Sequence, residues 1–566
     1  MIIRLKNILF FVLLIPGFTQ AQIGTAVEDS SLIKVAGMTI HIPGDGKLTY
    51  NYGKKIGDDP IFKDSVKVEA TVEYNFLDKK VPSNFEVKTI KAPKIKMTEP
   101  LEKIHKRYVA FGINDFKSAP FFELSHTTIR NRKYSAGFEM NHISQNQSAG
   151  TPIDARYGNS NVALYGKKFY DKKTLYGSFD YDHNLVNFYG FNEDQFLVYD
   201  EKSLNRGIGK FNVETGIKSN YKDERFWGYD VNVNYDELSL DEMAVVEHRV
   251  NLAANLNKYA EWKKYDWFKG VFNLDFEASY LNSGKPLNDH ESALFSLFPA
   301  FDLKLKDVDL KIGVNTFYQT IDPRKFTANI FAEADFGFVK DVLHIFARFQ
   351  NDYKRLSYLD YVYENPFVAN YGDVLTQRTP VDFMGGVKGA FSSKSSFNFG
   401  FRYRHHTKLP LFYNLGEDGL NEFVIVSDKV THRQGFAEFI HEGKKLDLLA
   451  MAEYNVYDVR KYEAFHLPNI YVETRASYKL KDKFVVGTDL FFYGKQLALE
   501  SFDASKKAVT STLDPIFDFN IDVRYNYSEK LGGFLKTNNI LNTKHVRWDQ
   551  YANYGINFLI GLDYNF

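Results

Sequence analysis

The chain reads as an all-β protein, a transmembrane antiparallel β-barrel of about 22 strands behind a short N-terminal periplasmic or lumenal segment. Three features of its 566 residues predict this. Apolar and polar residues alternate with a period of two in run after run, which marks strands with one apolar face. The breaks between runs alternate between short polar turns and longer loops, as the two rims of an outer-membrane barrel do. The chain ends on Phe566, with Tyr564, Leu562, Ile560, Phe558 and Ile556 before it on the same parity.

From the N-terminus, residues 1–21 read as a signal peptide. Arg4 and Lys6 give the positive start, Ile8 to Ile15 the short apolar run, and Thr19 and Ala21 the small residues before cleavage. The apolar run is too short to span a bilayer. Residues 22–106 form a separate periplasmic or lumen-filling segment. It holds one alternating run, "VKVEATVEYNF", then the Lys- and Pro-punctuated "VKTIKAPKIKMTEP", and "EPLEKIHKRY" reads as a short helix leading on. The barrel occupies 107–566, with a first strand near Arg107 to Phe116 and a last strand from Gly555 to Phe566.

Between these ends lie "YSAGFEMNH", "VNLAANLN", "FNLDFEASY", "TANIFAEADFGF", "YVETRASYKL" and "IFDFNIDVRYNY", all alternating. Tight polar turns fall at Asn131, Asp171, Lys222, Trp262, Lys306, Lys340, Ser392, Gly443, Lys481 and Ser528. Ten such turns with both chain ends on the same rim give 2 × 10 + 2 = 22 strands. That rim is expected in the periplasm, so both termini are periplasmic. The other rim carries "LDYVYENPFVANYGDVLTQRTP" and "TKLPLFYNLGEDGLNE", and a tag after Asn365 is expected to be reachable from outside the cell while one after Lys481 is not. Propeller blades also repeat at roughly 40–45 residues, but they pack four short strands into that length. Here each repeat holds two long ones.

Composition narrows the function. Apolar residues are 44%, yet mean hydropathy is −0.35 and no run of about 18 apolar residues occurs, which excludes a helical membrane bundle. Net charge is zero, so nucleic acid is not an expected partner. There is no cysteine, so no disulfide staples the fold. Nucleophile elbows, zinc-protease helices, phosphate loops and dinucleotide loops are absent, and no enzyme activity, metal or cofactor is expected. His405 and His406 are adjacent and point to opposite faces of a strand.

In "FNFGFRYRHHTK", Arg402, Arg404 and His406 oppose Phe399, Phe401 and Tyr403, so the basic stripe is expected to face the lumen. It either guides anions or holds an acidic partner, or it pairs across strands with inward acids such as Glu453, Asp518 and Asp522; Arg524 shares the face of the last two. The aromatic and acidic loops after Leu356 and after Lys408 either bind a glycan, a peptide or a lid protein, or pack over the barrel mouth.

The stretch "FLKTNNILNTKHVRWDQYANYGINFLIGLDYNF" resembles the C-terminal signature of TonB-dependent receptors. The matching residues are Asn539, Ile540, Leu541 and Asn542, then Gly555, Gly561 and Phe566. The resemblance covers roughly Arg107 to Phe566. It implies an outer-membrane location in a Gram-negative cell and a role in binding or importing a ligand. It also implies that Phe566, Tyr564 and Leu562 are the signal read by the barrel assembly machinery. The expected partners are outer-membrane lipids, and either an energy-coupling periplasmic protein or a surface lipoprotein lid. The family's folded plug has no counterpart here, because residues 22–106 are too few for one. That leaves a second reading, a plugless accessory or structural subunit of an outer-membrane assembly or secretion complex.

Overall fold

The computed structural model describes residues 105–566, apart from residues 116–118, 129–130, 149–153, 191–203, 222–225, 241–244, 262–268, 285–289, 306, 321–324, 340–341, 370–375, 415–420 and 482. The stretch expected to be a signal peptide and nearly all of the expected N-terminal segment therefore lie outside the described residues. So do the tight turns placed at Lys222, Trp262, Lys306 and Lys340.

The strands run β1 (Arg107–Asn114), β2 (Ala119–Thr127), β3 (Tyr134–Ser148), β4 (Asp154–Phe169), β5 (Lys173–Asn187), β6 (Asn205–Ser219), β7 (Gly228–Leu240) and β8 (Val245–Glu261). Next come β9 (Lys269–Ser283), β10 (His290–Leu305), β11 (Val308–Gln319), β12 (Lys325–Val339) and β13 (Leu343–Arg355). One helix, α1 (Tyr358–Glu364), precedes β14 (Thr376–Ser392), β15 (Ser395–Tyr413), β16 (Val424–Glu442), β17 (Leu446–Val459), β18 (Ile470–Leu480) and β19 (Phe484–Tyr493). The chain finishes with β20 (Gln496–Phe502), β21 (Ala508–Leu513), β22 (Ile516–Asn526), β23 (Leu531–Asn538), β24 (Val546–Trp548), β25 (Tyr551–Ala552) and β26 (Asn557–Asn565).

Twenty-two of these strands form one closed antiparallel sheet; the β20–β21 and β24–β25 hairpins stand apart from it. Closure is made by β26 against β1, in register from Tyr108 opposite Asn565 to Asn114 opposite Leu559. The Lys106 N–H donates to the Phe566 carbonyl at 3.1 Å and extends the seam to the last residue. Among the described residues, several turns on the chain-end rim are tight and closed by a single hydrogen bond, such as Gly443 N–H to the Leu446 carbonyl at 2.8 Å; the connections across 220–227 and 262–268 are longer.

Alternation fixes the faces. On β26 the exposed side chains are Ile560, Leu562, Tyr564 and Phe566, while Asn557, Leu559 and Asp563 are buried. Phe326, Ile330, Phe336 and Phe338 on β12, and Phe399 and Phe401 on β15, carry the same exposed apolar face around the ring. That band suits lipid and leaves the polar parity for the interior. The wall is uneven in height. At the seam β1 and β23 have 8 residues each, whereas β15 and β16 have 19. The opposite rim is not uniformly long-looped: β7 and β8 are joined across residues 241–244 alone. Its longest connections cluster after β5, β13, β15, β17, β19 and β23.

Candidate functional site: the loop cap and the inner wall

The long loops of that rim do not stand free. They meet in a core of 17 buried apolar side chains, among them Phe188, Leu240, Tyr358, Phe367, Phe423, Trp548 and Tyr551. Helix α1 is its centre, and its start is written locally. Ser357 is extended at φ −114° and accepts from the Asp360 N–H, while the Asp360 carboxylate accepts from the Ser357 N–H at 2.8 Å. This reciprocal cap satisfies two donors that a helix start leaves open. Two more, Tyr358 N–H and Leu359 N–H, donate to the Glu247 carboxylate of β8 at 2.8 and 3.2 Å. The helix stops at Asn365, where Pro366 disfavours a helical conformation in the residue before it. Tyr358, Leu359, Tyr361 and Val362 form its buried face.

Arg206 of β6 ties the cap together. Its side chain is fully buried, donates to the Pro366 and Val368 carbonyls at 2.9 and 2.6 Å, and meets Glu422 Oε1 at 3.1 Å. Its guanidinium also lies 4.5 Å from the centre of the Phe188 ring. Phe367 stacks on Tyr551 at 3.6 Å, with Tyr189 edge-on to both. A second node is Arg547, which donates to the His466 carbonyl at 2.6 Å and to Gln496 Oε1, under the Trp548 ring at 4.9 Å. The loops after Leu356 and Lys408 thus pack over the barrel mouth as far as they are described, one of the two roles the sequence left open. Asn365 is fully buried, so the expectation that a tag after it would be reachable is corrected.

Below the cap, the inner wall is polar. Arg402 on β15 donates from Nε and Nη2 to Asp382 on β14 at 2.9 and 2.7 Å, and Gln350 donates to the same carboxylate at 3.0 Å. Arg404 shares this face. His406 Nδ1 lies 2.9 Å from the Thr379 hydroxyl and 3.2 Å from Gln377 Nε2. Glu453 is on β17, while Asp518 and Asp522 are on β22, strands away from the basic stripe. Asp522 occupies the space left by Gly487, where a Cβ would collide with its carboxylate. Arg524 reaches Asp563 on β26 at 2.6 Å, passing β23 where Gly532 offers no side chain. Between β4 and β8 a hollow of about 510 Å³ is lined by Tyr165, Asp180, Lys210, Asn212, Asp236 and Arg249. Two of these touch α1: Arg249 meets Asp360 at 3.5 Å, and Lys210 lies 5.5 Å from the Tyr363 ring.

The Asn539–Asn542 motif turns the chain out of β23. Asn539 and Asn542 both sit at positive φ, 48° and 51°, a region that asparagine tolerates well. The Asn539 amide donates to the Thr543 and Tyr554 carbonyls, each at 2.9 Å, and Asn542 Oδ1 accepts from the Ile556 N–H. The motif therefore pins both ends of the last loop. Ile540 N–H donates to the Phe519 carbonyl at 2.9 Å, and Leu541 is exposed. Sequence reasoning missed Arg206, Glu247, Asp382, Glu422, His466 and Arg547. Only Ser357-Tyr358-Leu359-Asp360 left a readable signal, a helix-capping pattern ahead of an apolar run.

No plug is present among the described residues, and the closed 22-strand barrel is shared with solved TonB-dependent siderophore receptors. Three solved structures illustrate it. The pyoverdine outer membrane receptor FpvA from Pseudomonas aeruginosa PAO1 superposes with a TM-score of 0.61 at 11% identity, covering 82% of this chain and 79% of that one. The siderophore receptor PirA from Acinetobacter baumannii gives 0.61 at 11% identity, over 83% and 81%. The FrpB iron transporter from Neisseria meningitidis gives 0.61 at 9% identity, over 82% of each. At such identities the likeness is one of fold. No family model and no curated protein matches the sequence.

Proposed function

We propose that this chain is an outer-membrane receptor of the TonB-dependent type, binding a ligand at the loop rim and admitting it through the barrel. The observation that carries this is the barrel itself, shared over four-fifths of the chain with receptors whose ligands are siderophores and iron. The polar hollow beneath α1 supports it, offering amide, carboxylate and cationic groups to a polar ligand. On this reading residues 1–21 are removed and 22–106 remain periplasmic or lumenal. The tight-turn rim and both termini lie in the periplasm, and Phe566, Tyr564 and Leu562 address the assembly machinery. The inward set of Arg402, Arg404, His406, Glu453, Asp518, Asp522 and Arg524 maintains the polar interior. An energy-coupling periplasmic protein or a surface lipoprotein lid is the partner this role calls for.

The packed cap favours one second reading, an accessory barrel in an outer-membrane assembly or secretion complex, for which an occluded mouth is no handicap. Growth under iron limitation and uptake of radiolabelled ferric pyoverdine and ferric enterobactin, with and without the gene, test the receptor. Gene-dependent uptake supports it. Unchanged uptake together with stoichiometric assembly proteins after mild detergent purification establishes the accessory reading.

A further inference from the structure

We infer that the barrel is sealed by its own loops, with Arg206 as the latch of that seal. The argument begins with where the cap residues come from. Arg206 is on the sixth strand of the ring, and its partner Glu422 is in the loop after the fifteenth. They are 15 − 6 = 9 strands apart, where 22 ÷ 2 = 11 would be a diameter. The contact therefore bridges almost the full mouth. Asn421 donates to the Gly190 carbonyl and Tyr551 donates to the Asn421 carbonyl at 3.3 Å, so the loop after β5, the loop after β15 and the β24–β25 hairpin meet at one place. Side chains of the barrel wall alone cannot fill a lumen of about 22 strands. Here the filling is supplied at one level by loop residues packed like a protein interior.

The latch has a physical reason to hold. Arg206 is buried with its guanidinium committed to two carbonyls of the segment after α1, to Glu422 and to the Phe188 ring. Removing it leaves those acceptors in the core without their donor, which is costly where water is excluded. The segment it holds, Pro366 to Val368, also carries Phe367, the ring stacked on Tyr551. One side chain thus fastens the α1 loop to the far wall and to the hairpin. The inference concerns what closes the lumen and holds whichever ligand the receptor takes.

The test uses the full-length chain. It contains no cysteine, so Val368→Cys is a unique reporter, fully buried in the closed cap. On intact cells it should resist a membrane-impermeant maleimide. Adding Arg206→Ala should raise its labelling rate by roughly a hundredfold to a few thousandfold, the range expected when one member of a buried ion pair is removed, with Arg206→Lys falling between. Because Arg206→Ala could impair assembly, a second variant replaces residues 358–369 by a Gly-Ser linker of equal length, with heat-modifiable migration reporting that the barrel has formed. That folded variant should conduct in planar bilayers and sensitise cells to vancomycin, while the wild type does neither. A folded linker variant that neither conducts nor sensitises would overturn the seal, and unchanged labelling with Arg206→Ala would overturn the latch.

Discussion

His466 holds its ring between Phe423 and Trp548, with centroids at 5.3 and 5.2 Å and 1% exposure, beside the Arg547 guanidinium. Burial, with Arg547 adding to it, pushes its pKa down from 6.5 to about 3. A base depressed in the folded state supports folding while it is neutral, so its contribution is complete above pH 6.5. That contribution is lost as pH falls from 6.5 toward 3. Around it burial lowers the Arg547 pKa, with Tyr493 and Glu364 acting against that, and His545, also depressed by burial, works in the same direction as His466. Asp549 opposes them, because burial raises its carboxyl and favours the protonated form in the fold. His466 is the most enclosed of the three and should dominate. Labelling of Val368→Cys, taken relative to that of the exposed Ser505→Cys at the same pH because the reactive thiolate fraction itself falls with pH, should therefore rise as pH drops below 6.5, and His466→Asn should flatten the response. Asparagine suits this test because His466 sits at φ 56°, which asparagine accepts. A response unchanged in His466→Asn would remove the histidine from the account.

At the scale of elements, the terminal hairpin shows how assembly and closure are written together. Leu562, Tyr564 and Phe566 face outward, and the opposite parity carries Asp563, bonded to Arg524 across β23. Changing Leu562, Tyr564 and Phe566 to Asp puts three charges on the lipid face of the closing strand, each unfavourable there. The product should be periplasmic and protease-sensitive, and a heat-modifiable barrel in the outer membrane would refute this. Asn539→Ala acts on the preceding turn, removing two donor bonds and the residue suited to φ 48°, at a cost of about 1–3 kcal/mol. Its midpoint in a denaturant series should fall while the barrel still forms. These elements were legible in the sequence because alternation is local: β12, β22 and β26 announce their faces in ten residues. Register was not. Nothing in the order of residues says that Arg402 meets Asp382, since that depends on the pairing of Met384 with Arg402 across β14 and β15.

For the whole molecule, the cap lay beyond sequence reasoning for a related reason. Its contacts join Arg206 to Val368 and Asn421 to Gly190, positions 162 and 231 residues apart, and only ring closure brings them together. The same closure decides how topology has to be tested. Asn365, central in a long polar-looking loop, is buried under the cap and would report disruption in place of exposure. Ser505, in the exposed turn between β20 and β21, is on the loop rim and outside the apolar core, and Lys481 is exposed in the tight turn between β18 and β19. With no native cysteine, Ser505→Cys and Lys481→Cys are clean single probes. If the loop rim faces the medium, an impermeant maleimide should label Ser505→Cys on intact cells and reach Lys481→Cys only after the outer membrane is permeabilised. Neither site touches Arg206 or α1, so the cap stays closed in both. Labelling of Lys481→Cys alone on intact cells would invert the barrel, placing the cap on the periplasmic side and withdrawing the receptor reading with it.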